Sequence, residues 1–390
     1  MSAGISWGRY CASVAKRTLR VRDLTAALSA VAPPSLAAAW DNVGLLAGDP
    51  SAPCERVLLT IDLTRDVLEE ARDLRVQAVV AYHPPLFEPL KRLVSGTHPS
   101  GVVHDAIRLG VALLSPHTAL DAVQGGVNDW IADGIGDGTR RPLEPSASLP
   151  ATEAFVIVTH APQDAVERIR GAMSIAGAGR IGDYSQCSVA TAVEGTFFGG
   201  SSTQPRTGRR GSLERVREIR FDMVCGRRAL PSALAALRQA HPYETPPVQV
   251  HALSPHLSAR QGQGRLIELA QPASASEIAR RLKRHLGTTR IECAAAPDAS
   301  VEHTVIGLCA GAGMSLCEAA IEAGATLFMT GEARHHEQLA ATARGCTLLL
   351  AGHTITERGY LPRLGERLAR AAPRMQLTIS QRDRHPLEAL

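Results

Sequence analysis

Short apolar runs alternate with amphipathic stretches from residue 21 onward. Residues 23–32 carry apolar side chains at helical spacing and stop at Pro33-Pro34, where two donors are lost. Residues 56–61 (RVLLTI) and 77–81 (QAVVA) are continuous apolar runs of the kind a strand covered on both faces shows. An acid-rich helix over 65–74 separates them, and a short helix over 102–109 precedes a strand over 111–115. Strands and helices alternating at this spacing predict βαβ units and a largely parallel sheet.

The pattern changes in the middle third. A strand at 155–159, a helix at 163–173 and an irregular strand at 187–198 lead into 218–225. In that last run Ile219, Phe221 and Met223 alternate with Glu218, Arg220 and Asp222, the mark of a half-solvated strand. A helix at 230–240 and a strand at 248–250 complete a β-α-β-β-α-β order, the ferredoxin-like arrangement. Stretches rich in Gly, Pro and Ser at 134–151 and 254–264 read as linkers on either side. The last third returns to the first pattern, with helices at 277–285 and 315–322 and strands at 304–308, 325–330, 347–351 and 376–380. It also repeats it: GVALLSPHT ending at Thr118 reads like GCTLLLAGHT ending at Thr354. The outer thirds are therefore expected to form one domain, split by the middle unit, with a pseudo-two-fold site between its halves.

Composition narrows the function. With 390 residues and 45% of them hydrophobic, the chain has length for two or three domains with real cores. A formal charge of +4 is too mild for a dedicated nucleic-acid binder, and 4% aromatics argue against base-stacking platforms. No apolar run reaches the roughly 18 residues of a membrane span. Eight cysteines occur without a C-x-x-C pair, so a disulfide framework or zinc ribbon is not indicated, and buried thiols in a reducing compartment are expected. The first 22 residues hold Arg9, Lys16, Arg17, Arg20 and Arg22 and no acid. That is the composition of an organellar presequence, and equally of a disordered tail or an over-extended start; without a long apolar segment, secretion is disfavoured.

Chemistry gathers at strand ends. Of fourteen histidines, His83, His117, His335, His336 and His353 lie at or just past the carboxyl ends of expected strands, where open α/β sheets place ligands. Asp121, Glu332 and Glu357 stand beside them. Imidazole and carboxylate together suit zinc, iron or manganese, and the set is large enough for two ions sharing a carboxylate and activating water. Plain structural roles are open to each residue as well. His83 before Pro84 can end a strand in a turn, and His117 can brace a loop. Thr354-x-x-Glu357 fits a capping box, Asp121 can cap the helix beyond it, and Asp41-Asn42 can form a turn before Gly44. Gly311-Ala-Gly313 reads as a tight turn, because the third glycine of a dinucleotide fingerprint is missing. The segment His241-Pro242-Tyr243-Glu244 reads as a helix-termination turn, and Arg206 to Arg210 as a solvated loop.

The blocks that carry these residues resemble the Nif-three-like family, also labelled GTP cyclohydrolase one type two. They are Trp40-Asp41-Asn42-Val43-Gly44-Leu45, Tyr82-His83-Pro84-Pro85-Leu86-Phe87, Ser115-Pro116-His117-Thr118-Ala119-Leu120-Asp121, Thr330-Gly331-Glu332 with His335-His336, and Gly352-His353-Thr354 with Glu357-Arg358-Gly359. They follow the family order from Ala38 to Tyr360. The middle segment, with Gly179-Arg180-Ile181-Gly182 and the His241 turn, resembles the inserted PII- and CutA-like module of the longer bacterial members. The resemblance implies a two-lobed α/β domain built from residues 21–150 and 256–390, an inserted ferredoxin-like domain over 151–255, and a flexible extension over 1–20. It implies one or two divalent ions inside a ring-shaped homohexamer, with His83, Asp121 and Glu357 holding one ion and His353 and Glu357 the other. Family members commonly carry two adjacent histidines where this chain has Tyr82-His83, and a neutral phenol is a poor ligand, so the ion count stays open between one and two. The implied activity is metal-dependent hydrolysis of a nucleotide or another small phosphorylated compound, by opening a guanine ring at C8 or by cleaving a phosphate ester. His117, Glu332, His335 or His336 would then move protons. A non-catalytic metal-binding ring that serves as a scaffold or regulator is the alternative. A cytoplasmic bacterial protein is expected; a mitochondrial one would follow if the basic start is a presequence. Neither a membrane nor nucleic acid is an expected partner.

Overall fold

The computed structural model describes residues 18–96, 99–297 and 302–386. Most of the expected extension therefore lies outside the described residues. Its last two residues already belong to the fold, because the carbonyl of Leu19 accepts from the Cys54 amide at 2.8 Å and Arg20 bridges to Pro53. The described chain divides into two compact units, one from the residues up to Ser146 with those from Ala259 on, the other Ala147–Ser258.

Two sheets organise the first unit. The five-stranded sheet runs in the order Gly44–Ala47, Ala112–Ser115, Ala78–Ala81, Arg56–Thr60, Gln376–Ile379. All its pairings are parallel except that of the first strand. The strand 376–379, from the far end of the chain, joins the sheet of the first third. Alternation along these strands feeds two separate cores. Val57, Leu59, Val80 and Leu114 face the helices Val21–Val31 and Leu361–Ala371, whereas Leu58, Val79, Ala81 and Leu113 face Arg65–Asp73 and Pro99–Arg108. Burial on both faces explains why the strands read as unbroken apolar runs. Each fully buried Leu, Ile or Val contributes about 1.5–3 kcal/mol.

The six-stranded sheet runs in the order Glu292–Ala294, Thr347–Leu350, Leu327–Thr330, His303–Leu308, Arg265–Ala273, Gly138–Arg141. Here the expectation of a largely parallel sheet fails, since only the strands at 303–308, 327–330 and 347–350 are parallel to one another. Three antiparallel strands come from stretches whose composition suggests linkers. Residues 138–141 pair antiparallel with 266–269, and Glu144–Ser148 and His256–Gln263 form a two-stranded ribbon. These strands are polar because they lie at an edge or in a ribbon with open faces, so their composition imitates a loop. Ile267, Leu269, Ile306, Met329 and Leu349 share one core with the inner face of the first sheet, through the helices Val127–Ile135 and Ala275–Leu286. Two sheets thus sandwich a common helical layer, and their strand carboxyl ends share one cleft.

The second unit has the element order Phe155–Ala161, Val166–Ile175, Ser188–Phe198, Leu213–Cys225, Leu230–Ala240, Val248–Ala252. Its four strands form an antiparallel sheet in which 248–252 flanks 155–161, followed by 213–225 and 188–198. Phe221 and Met223 pack with Ile169, Met173 and Leu237 on the helical face.

One buried ion pair braces the first unit. Arg265, 1% exposed, donates Nε and Nη2 to the Asp129 carboxylate at 2.6 and 3.0 Å, and its other protons reach the carbonyls of Gly262, Gly264 and Val123. Removing the carboxylate leaves a buried guanidinium without its anion. Asp129→Ala is therefore expected to cost about 3–5 kcal/mol, read from the urea midpoint of this unit. Arg363→Ala, which breaks an exposed pair with Asp133 at 2.7 Å, should cost about 1 kcal/mol or less.

Candidate metal centre

Six strand ends supply the site. Asp62 follows 56–60, Tyr82 and His83 follow 78–81, and His117 follows 112–115; Cys309 to Gly311 follow 303–308, Glu332 follows 327–330, and His353 follows 347–350. Glu357 stands on the short helix Ile355–Arg358, four residues past His353, which brings both side chains to one side.

His83, His353 and Glu357 converge so that one ligand atom from each lies within 4.8 Å of the others. Nε2 of His83 is 3.3 Å from Glu357 Oε2, and Nε2 of His353 is 3.5 Å from Oε1 of the same carboxylate. Glu357 is 3% exposed. Neither His83 Nε2 nor Glu357 Oε2 has a hydrogen-bond partner, although both are buried. The opposite ring nitrogens are occupied: His83 Nδ1 meets Asp62 at 2.9 Å and His353 Nδ1 meets Glu332 at 2.9 Å. A carboxylate only accepts, so each Nδ1 carries the proton and each Nε2 is turned toward Glu357. His117 repeats the pattern, with Nδ1 at 2.7 Å from the buried Asp41 carboxylate, whose other oxygen accepts from the Thr118 amide and hydroxyl. The rings of His83 and His353 stand 5.3 Å apart edge to face, and those of His83 and His117 5.6 Å apart.

Charge is concentrated here. Burial opposes a proton on His83, yet the Asp62 and Glu357 carboxylates outweigh it and push His83 up to about 10. Burial likewise opposes ionisation of Asp62, but its bond to His83 holds it below the usual carboxylate range. Asp121 is raised to about 6, by burial first and then by repulsion from Glu357, with Tyr82 and the nearby histidines working the other way. The Tyr82 hydroxyl donates to Asp121 and is pushed well above 10 by burial and the two carboxylates.

Several expectations change in three dimensions. The capping box at Thr354 does not form: Thr354 makes no side-chain cap, and Glu357 is turned into the cleft. Asp121 does not cap the next helix, which starts at Gly126 without a side-chain cap; it lies buried in His117–Ala122 instead. His335 and His336 open the helix His335–Ala343 on its exposed first turn and, among the described residues, make no hydrogen bond or ion pair with the cluster. Helix initiation places them in solvent, whereas Glu332, three residues earlier, still reaches His353.

No spacing rule ties Asp62 and Asp41 to the site, since they sit 21 and 76 positions from their histidines. Gly311 belongs to the tight turn expected after the strand 303–308. It has φ +61°, and a Cβ there would lie 2.6 Å from Glu357 Oε1 and 3.1 Å from His353 Nε2. A glycine is needed because a side chain would collide with the Glu357 carboxylate and crowd the His353 ring. Behind the cluster, Asp383 accepts from the Ile61 amide at 2.7 Å and pairs with Arg358 at 2.7 Å, tying the residue before Asp62 to the residue after Glu357.

The sign of the His83 shift fixes a measurable trend in metal-free protein. A raised imidazole contributes stability that is fully present below its unfolded value of 6.5 and is lost as pH rises through about 10. Asp62→Asn should lower the His83 value toward 6.5, as followed by imidazole resonances during a pH titration. An unchanged titration would show that Asp62 does not hold the proton.

Known proteins match over most of the chain. Residues 19–386 fit the model of the family Duf34/NIF3 (NGG1p interacting factor 3). A protein of Mycobacterium tuberculosis named GTP cyclohydrolase 1 type 2 homolog is 33% identical over 319 residues, 82% of this chain and 83% of its own. Human NIF3-like protein 1 is 33% identical over 379 residues, 94% of this chain and 93% of its own. Among solved structures, a Bacillus cereus protein related to NIF3 is 26% identical with a TM-score of 0.70, covering 96% of this chain and 100% of its own. A Staphylococcus aureus protein with the same coverage has a TM-score of 0.78 at 22% identity, a likeness of fold.

Proposed function

The chain belongs to the Duf34/NIF3 family, and from that premise we propose that it is a metal-dependent hydrolase of a nucleotide or another small phosphorylated compound. The observation that carries this reading is the pair of imidazoles, each backed by a carboxylate at Nδ1, whose Nε2 atoms face one buried carboxylate. Histidine held this way presents a basic, oriented nitrogen to a cation. The orphaned Nε2 of His83 and Oε2 of Glu357 are the buried atoms a cation would satisfy. His83, His353 and Glu357 would hold one ion, and two imidazoles with a carboxylate suit zinc, iron or manganese. A single ion fits better than two, because Asp121 is engaged by the Tyr82 hydroxyl instead of joining the three converging ligands.

When bound, the ion would supply Lewis acidity, polarising the bond under attack and acidifying water. The remaining work falls to the chain. His117, held at Nδ1 by Asp41 with its ring 5.6 Å from that of His83, is suited to carry a proton between water and the leaving group. Asp121, poised at about 6, can change protonation near neutral pH, which is what a general acid or base requires. Glu332 orients His353 and takes no direct part.

Tyr82 in place of a second histidine favours a second reading, a non-catalytic metal-binding scaffold. A cytoplasmic homohexamer and a ferredoxin-like identity for the inserted unit belong to the same proposal; the strand order of that unit and the free cysteines among the described residues support the latter part and a reducing compartment. Among the described residues, no helix is long and apolar enough to cross a membrane.

Elemental analysis of native protein, followed by turnover assays on GTP and a panel of phosphate esters, tests the reading. The hydrolase predicts about one transition-metal ion per chain and turnover that His83→Ala abolishes. Stoichiometric metal without turnover of any panel member would leave the scaffold reading standing. Gly311→Ala is a finer probe: with its Cβ 2.6 Å from Glu357 Oε1, it should reduce metal content severely while the unfolding transition of the other unit stays in place.

A further inference from the structure

The second unit holds a cavity of about 330 Å³ that none of this chemistry uses. Its position follows from unequal strand lengths. The strand 213–225 pairs with 155–161 only from Ile219 onward, but with 188–198 all the way to Leu213. The hairpin therefore projects beyond its third partner, and the turn after the helix 230–240 closes over the open side. His241 fixes that turn: Nε2 donates to the His160 carbonyl at 3.0 Å, and Nδ1 accepts from the Tyr243 amide at 3.1 Å. The Tyr243 hydroxyl then donates to Glu218 Oε1 at 2.5 Å.

Inside, Phe197, Val216 and Glu218 lie on the sheet face opposite the one where Phe221 and Met223 meet the helices. Gly195, on the neighbouring strand, leaves room for the Glu218 carboxylate, which a Cβ there would strike. Glu244 closes one side, with Oε1 accepting from the Gln204 amide at 3.2 Å. Arg206, the one cation among the lining residues, is already paired with Asp164 at 2.6 Å. The cavity thus combines aromatic walls with two carboxylates, each keeping an oxygen for a ligand.

We propose that this cavity is a binding site for a small organic ammonium compound with a flat apolar body. Glu218 and Glu244 would take the ammonium protons, and Phe197 and Tyr243 would line the apolar part and face the cation. The volume sits at the lower end of the roughly 300–1,000 Å³ of ligand cavities, which selects a compact ligand.

Tryptamine is a suitable probe, with indole-3-acetate as the same ring carrying the opposite charge. Calorimetric titration of the full chain should show saturable binding of tryptamine and none of indole-3-acetate. Glu218→Gln should weaken tryptamine about tenfold, the loss expected for one charge-assisted hydrogen bond. Glu244→Gln should weaken it in the same direction, which keeps the test decisive if the first variant folds poorly. Metal content serves as the control and should not change. Equal binding of the two probes, or no saturable tryptamine binding by the wild-type chain, overturns the proposal. So does a change in subunit number on Glu218→Gln with tryptamine affinity unaltered, which would make this face a contact between copies.

Discussion

A carboxylate shielded from water must find a partner, and Glu357 faces the Nε2 atoms of two imidazoles from opposite ends of the chain. Burying an isolated charge is far more costly than any single packing contact can offset. Without a cation, the proton on His83 answers Glu357, and the raised His83 value expresses that dependence. Asp62 and Glu332 then hold the two rings so that both Nε2 atoms stay aimed at the same point. The cluster is therefore a set of mutually required charges, and the local backbone is arranged around it, down to the left-handed Gly311 that leaves the ligand atoms their space.

Such an arrangement needs rigid supports, and the first unit provides them by covering both sheets on both faces. Strands packed from two sides have little freedom to shift, so residues at their carboxyl ends are held in fixed positions. The last strand gives this a further turn. Gln376–Ile379 joins the sheet of the first third, and the residues just after it are clamped there. Glu70 accepts from the Ser380 hydroxyl at 2.5 Å and from the Gln381 and Arg382 amides at 2.9 and 3.2 Å. Asp383, fixed by that clamp, links the loops carrying Asp62 and Glu357. A segment far from the chemistry in sequence thereby sets the separation of the two halves of the site. The second unit departs from this design, since its own helices pack on one face of its sheet and the cavity beside Glu218 lies on the other.

Legibility tracked the range of the interactions involved. His83, His117, His353, Glu332 and Glu357 were visible because a strand end followed by His or Glu is a local pattern. Asp41 and Asp62 were not, because a carboxylate reaching a histidine across 76 or 21 positions leaves no period to read. The stretches at 138–141 and 256–263 were mistaken for linkers because edge and ribbon strands need few apolar residues. His335 and His336 share the local pattern and yet lie in solvent, since a helix begins at that point and carries them outward.

By itself, the sequence determined the alternation of strands and helices, the division into outer and middle segments, and the residue types gathered at the strand ends. These depend on side-chain periodicity and turn chemistry within a few residues. The tertiary structure alone decided which ends face one another, that Asp121 pairs with Tyr82 while His83, His353 and Glu357 converge, and that Gly311 leaves open the space beside Glu357 Oε1 and His353 Nε2. Those outcomes depend on how two sheets pack through a shared layer of helices, and packing joins residues by distance in space, a quantity that the order of amino acids does not display.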